Sequence, residues 1–215
     1  MNKARMFDVL SFALLVAATV ASALVWSRLP ESMPTHFDLS GTPNGFMPRA
    51  WGASFGPVVG LCIWAFVHVV GRFSPAAKAK VPAGAIAFVA FLTAALMVAI
   101  HLVILHAALA PTAYVMRPLW MILGAFIFVL GLIMPRLRQN GVAGIRTAWT
   151  LGSQEVWART HRLAGYTMAV GGMVTFVAGV VGGSAAGAVA LVAMVVSSVV
   201  PAVYSFVLAR SLAGR

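Results

Sequence analysis

Six apolar stretches, each about 20 residues long, dominate this 215-residue sequence; they cover approximately 8–27, 52–71, 83–106, 117–134, 164–182 and 188–209. A helix of about 20 apolar residues crosses the roughly 30 Å hydrocarbon core of a bilayer, where a backbone must satisfy its own hydrogen bonds. The pattern therefore predicts an all-α fold, a polytopic transmembrane bundle of six helices. Composition agrees, because 61% of the residues are hydrophobic and 9% are charged, with four acids in the whole chain. Soluble domains carry about 25% charged residues. A secretory signal is the rival reading of the first stretch, since Lys3 and Arg5 precede it and Ala21-Ser22-Ala23 resembles a cleavage site. The apolar run continues past Ala23 to Trp26 and five more follow, so an uncleaved first helix is the expectation.

The chain has fifteen Lys and Arg and a formal charge of +11. A basic stripe on a polar fold would point to nucleic acid, but these residues lie between apolar runs, so the expected partner is the lipid bilayer, without direct nucleic acid binding. Their placement also orients the chain, because positively charged loops stay in the cytoplasm. With the N-terminus inside, Lys3, Arg5, Arg72, Lys78, Lys80, Arg136, Arg138, Arg146, Arg159, Arg162, Arg210 and Arg215 are cytoplasmic, twelve against the three of Arg28, Arg49 and Arg117. This predicts a multi-pass protein of the bacterial cytoplasmic membrane with both termini cytoplasmic. An ordered extracellular loop is expected at 28–51 and a basic cytoplasmic segment at 135–163. Trp26, Trp51 and Trp120 then fall near the outer interface. In chain order the molecule divides into a first helix pair with its loop, 1–81, and a four-helix part, 82–215, within one integral membrane unit.

The apolar stretches contain little chemistry. Asp8 sits at the inner edge of the first, within reach of Arg5 or of headgroups, and Glu31, Asp38 and Glu155 fall in connecting segments. Proton-coupled transporters usually keep an embedded carboxylate. His68, His101 and His106 remain; His101 and His106 are five residues apart, about 140° around a helix, and so do not share a face as paired metal ligands would. No metal site and no cofactor is expected. Motifs for zinc proteases, nucleotide binding and serine hydrolysis are missing from the sequence, and the chain is not expected to be an enzyme. Cys62 lies in an apolar run and reads as a small membrane-facing or packing residue, not a nucleophile. Gly52, Gly56 and Gly60 recur at four-residue spacing, which suits a packing seam within one monomer, and Gly179 and Gly183 repeat the spacing. Pro57 and Pro201 lie inside spans.

Two connections carry more information. The outer one reads from Leu29 to Phe46, where Pro30, Pro34 and Pro43 oppose helix and Asn44-Gly45 signals a turn. An ordered loop with extended pieces is expected, presenting His36, Phe37 and Asp38 to an external ligand; on spacing alone His36 reads first as bonding loop backbone, with pH sensing or metal ligation as the alternatives. The inner one runs from Pro135 to Arg162. Ser153 reads as a helix N-cap with Glu155 in the first turn, opening a short helix that continues into the fifth span. On that helix Glu155 and Arg159 are spaced to pair, while Trp157 and His161 share another face. A basic loop on anionic headgroups accounts for Arg136 and Arg138. It does not account for Asn140, Gly144, Arg146, Thr147, Trp149 and Thr150 in such close succession.

This run, Met134 to Gly165, resembles the signature of the SdpI family, bacterial membrane proteins whose namesake is an immunity and signalling protein for a secreted sporulation-delaying toxin peptide. The matches are Asn140, Gly144-Ile145-Arg146-Thr147, Trp149-Thr150-Leu151, Trp157, His161-Arg162 and Gly165. Ala148 stands where the pattern often has proline, and Leu132 where asparagine is expected. The loop 29–45 is similar, at Pro34, His36, Phe37 and Gly41, to a domain of unknown function that often precedes the signature. The resemblance implies an immunity protein against a secreted membrane-active peptide toxin, which also signals by sequestering a cytoplasmic repressor. Its toxin-side residues would be His36, Phe37 and Asp38, and its cytoplasmic ones Asn140, Gly144, Arg146, Thr147, Trp149, Thr150, Trp157, His161 and Arg162. Two other readings stay open: a transporter or flippase of a small amphipathic molecule with the intramembrane histidines along its route, and an enzyme using His36 or His161. Arg146 has its own open question, between folding the segment through Trp149 and binding directly.

Overall fold

A computed structural model describes residues 2–73, 83–110, 114–141 and 143–214. Lys78, Lys80 and Arg215 lie outside the described residues, as does the side chain of Arg72. Six long helices carry the six apolar stretches: α1 (Lys3–Val25), α2 (Arg49–Phe73), α3 (Ala83–Leu109), α4 (Met116–Ile133), α6 (Gln154–Val181) and α7 (Ala186–Ala213). Each is long and apolar enough to cross a membrane. A short helix, α5 (Ala148–Gly152), precedes α6, and single 3-10 turns extend α1 through Arg28 and α4 through Arg136. The extended pieces of the 28–51 connection pair as an antiparallel hairpin, β1 (Ser32–Phe37) with β2 (Pro43–Pro48).

The helices sort into two groups. α3 packs mainly on α1 and α2, and α4 packs on α6, which also packs on α7; the contact between α3 and α4 is smaller. The expected glycine row of α2 is a seam inside the monomer: Gly52 faces Met33 of the hairpin, Gly56 faces His101 of α3, and Gly60 faces Leu15 of α1. His101 is buried, with its Nε2 2.8 Å from Ser22 Oγ on α1, so it ties two helices together. Asp8 reaches across to α2, where its carboxylate is 2.9 Å from His68 Nε2 and accepts the Trp64 indole N–H at 3.3 Å.

In the second group the contact is closer still. Gly124 and Gly131 of α4 meet the backbone of Gly165, Ala169, Gly172 and Phe176 on α6, and Gly179 meets Met121 and Arg117. Gly165, Gly172 and Gly179 are seven residues apart, as are Gly124 and Gly131, a spacing that keeps one face along a neighbouring helix for its whole length. Gly183 does not extend this row, because it lies in the turn after α6 with nothing within 4 Å of where a Cβ would stand. Trp120 is buried with Ala178 and Ala190 between these helices, whereas Trp26 and Trp51 are exposed.

An isolated two-stranded hairpin is marginally stable at best, and this one is anchored. Met33 is fully buried in a cluster with Leu29, Ala53, Leu105 and Ala108. At its turn Gly41 lies against Met116 of α4, and Leu39 against Gly187 of α7. The hairpin thus touches both helix groups at the same end of the bundle.

Candidate functional site

The chain between α4 and α6 is a fold of its own, built from side chains bonding backbone. Asn140, 3% exposed, holds a turn: its Oδ1 accepts the Ala143 N–H at 2.8 Å and its amide donates to the carbonyls of Arg138 (2.8 Å) and Ala143 (3.1 Å). Gln139 donates to the carbonyls of Thr150 and Leu151, at 2.9 and 2.8 Å, closing the end of α5 over the turn. Thr147 caps α5, accepting the Thr150 N–H while Thr150 Oγ1 accepts the Thr147 N–H at 2.8 Å. Buried Thr150 also donates to the Ile145 carbonyl at 2.8 Å. Ser153 caps α6 as expected, accepting from Val156 N–H, and Glu155 pairs with Arg159 at 2.7 Å.

Trp157 and His161, on adjacent turns of α6, stack with centroids 3.9 Å apart. Trp157 donates its indole N–H to the Leu137 carbonyl at 2.7 Å. His161 Nδ1–H donates to the Trp157 carbonyl at 2.9 Å, and Nε2 accepts the Ile145 N–H at 3.0 Å. These two bonds define a neutral imidazole protonated at Nδ1. Gly144, at φ +115°, lets the backbone pass directly over the ring. Trp149 reaches the other way, donating to Ser205 Oγ on α7 at 2.7 Å with its ring on Phe206. Arg146 and Arg162 are exposed. Asn140, Gly144, Thr147, Trp149, Thr150, Trp157 and His161, all signature residues, are tied together or to α7 by these contacts.

Beside this segment lies a cavity of about 610 Å³. One wall is the chain leaving α4, with Arg136, Arg138 and Gln139; the other is the first turns of α6, with Gln154 and Arg162. Gln139, Gln154 and Ser205 have roles here that the sequence does not single out. Gln139 and Gln154 sit among many polar neighbours, and Ser205 is a lone hydroxyl in an apolar stretch.

At the opposite end, His36, Phe37 and Asp38 make three different sets of contacts. His36 is exposed, and its Nδ1–H donates to Asn44 Oδ1 across the hairpin. Phe37 lines an apolar cleft of about 270 Å³ with Pro34, Pro43, Phe46 and the end of α3 at Ala107 and Ala108. Asp38 organises the turn, accepting from Ser40 N–H (2.8 Å), Ser40 O–H (2.6 Å) and Thr42 N–H (2.9 Å). The Ser40 hydroxyl, then the Thr42 amide, hold its carboxyl below the ordinary aspartate value. Among the described residues no group of three or more His, Cys, Asp or Glu is placed to hold a metal ion.

Six apolar helices, a buried hairpin seat at one end and a side-chain-bonded segment at the other define a multi-pass helical membrane protein. Residues 136–205 match the SdpI/YfhL protein family, and residues 13–61 match DUF1648, a domain of unknown function. The SdpI/YfhL match covers the inner segment with α6 and most of α7, and the DUF1648 match lies ahead of it, over most of α1, the hairpin and the start of α2. No curated protein and no solved structure matches it.

Proposed function

We propose that this chain is an immunity protein of the bacterial cytoplasmic membrane, protecting its cell from a secreted membrane-active peptide. The observation that carries this reading is that the family match includes the whole segment from Arg136 to Arg162, the part of the chain with the densest side-chain bonding. The excess of Lys and Arg at the segment's end of the bundle supports a cytoplasmic location for it and for both termini, leaving the hairpin outside. There the apolar cleft at Phe37 offers a seat for a hydrophobic peptide side chain. Because the hairpin turn rests on α4 and α7, a peptide held there has a mechanical route to the inner segment, which α4 enters and Trp149 ties to α7. A second conformation of that segment, favoured by the peptide-bound state, would let an acidic repressor be held or released.

The test is survival and membrane potential of a sensitive bacterium expressing the chain and challenged with a sporulation-delaying-type peptide. Protection by the wild type, and its loss in Phe37→Ala at matched membrane levels, is the expected result. No protection by correctly inserted protein would overturn the reading for that class of peptide.

A further inference from the structure

We infer that the cavity between the α4 exit and the start of α6 is a binding site for the phosphate of an anionic phospholipid, independently of the immunity reading. Three arginines, Arg136, Arg138 and Arg162, line it. Arg136 is held in place by donating to the Leu132 carbonyl at the end of α4. Among the described residues no acid lines the cavity: Glu155 is paired with Arg159, and Asp8 is bonded to His68 and Trp64 of α2. Gln154 adds the first turn of a 28-residue helix, whose positive end favours an anion. Guanidinium forks suit phosphate oxygens.

The cavity's position decides between a lipid and a larger partner. The apolar span of α4 ends at Met134, and the apolar part of α6 begins at Leu163, so the three arginines stand at the edge of the hydrocarbon, where headgroup phosphates lie. The site is a concave space of about 610 Å³ between two elements, which suits a headgroup better than the flat face of a protein.

The experiment uses the full chain in nanodiscs. Retention of phosphatidylglycerol and cardiolipin against phosphatidylcholine would be measured by native mass spectrometry for wild type, Arg138→Gln, Arg162→Gln, the charge-keeping Arg162→Lys, and Arg5→Gln, which removes an exposed cation of α1 that does not line the cavity. Preferential retention of anionic lipid by the wild type is expected, reduced about five-fold for each lining arginine removed, largely restored in Arg162→Lys and unchanged in Arg5→Gln. Thermal melting of each variant separates loss of the site from loss of fold. Equal retention of neutral and anionic lipid overturns the proposal, as does an equal effect of Arg5→Gln. Displacement of the lipid by millimolar inorganic phosphate would assign the site to free phosphate instead. Binding of a polyglutamate peptide in neutral nanodiscs, without anionic lipid retention, would assign it to an acidic protein.

Discussion

A Cβ added to Gly144 would stand 2.3 Å from Nε2 of His161, the same nitrogen that accepts the Ile145 amide proton. Glycine and histidine, seventeen residues apart, are therefore one device: the absent side chain admits the ring, and the ring bonds the backbone that the absent side chain exposes.

Gly144→Ala should therefore be costly. It combines a left-handed backbone, at φ +115°, with a contact to a ring that is stacked and bonded on both sides. The expected loss is about 2–4 kcal/mol, from backbone strain and overpacking together. Denaturant unfolding in detergent measures it. In Gly144→Ala/His161→Ala the loss should be smaller than the sum of the two single changes, because the clash goes with the ring; additive losses would show that the two residues act separately.

Ala148→Pro should be tolerated or mildly stabilising. Ala148 is the first residue of α5, where a proline costs no intrahelical bond, and Thr147 before it is already extended, at φ −107° and ψ 165°. This fits the frequent proline at that place in the resembled pattern. The expected gain is up to about 1 kcal/mol, from a stiffer unfolded chain. A lowered melting temperature would contradict the N-cap geometry.

Gly172 in the α4–α6 seam contrasts with Gly152 at the end of α5. At Gly172 an added Cβ would stand 2.4 Å from the Phe128 amide nitrogen and 2.7 Å from the Gly124 carbonyl oxygen, so backbone itself must move. At Gly152 nothing lies within 4 Å. Gly172→Ala is expected to destabilise by about 1–3 kcal/mol, with Gly172→Leu preventing assembly of the bundle, while Gly152→Ala stays within about 0.5 kcal/mol of wild type. Thermal melting with size-exclusion chromatography in detergent reads all three.

The hairpin turn should open in acid. Asp38 has a folded pKa below the usual 3.8, so its contribution is fully present above about 3.8 and is lost as pH falls through the lower folded value. Amide hydrogen exchange of Ser40 and Thr42 should accelerate across that window in wild type. In Asp38→Asn the acid dependence should vanish, since the amide has no charge to lose. An unchanged acid response in that variant would place the titrating group elsewhere.

Much of this protein follows from local pattern. Apolar runs long enough to cross a bilayer read directly as helices, because lipid leaves the backbone no other partner. The Ser153 cap, the Glu155–Arg159 pair and the shared face of Trp157 and His161 follow from helix geometry within nine residues. The glycine row of α2 could be read as a seam from its spacing, although the seven-residue row of Gly165, Gly172 and Gly179 is as regular and shows its meaning only beside α4. What the sequence leaves open is which of the signature residues bond to one another and which face open space. Asn140, Thr150 and Arg162 are all polar residues of one short stretch, yet two are buried in backbone hydrogen bonds and one lines a cavity. That division depends on where α4, α6 and α7 bring distant chain together, and the approach of Gly144 to His161 or of Trp149 to Ser205 has no local signal. A hydrogen bond across 56 residues is a property of the packed helices, so only the tertiary structure decides it.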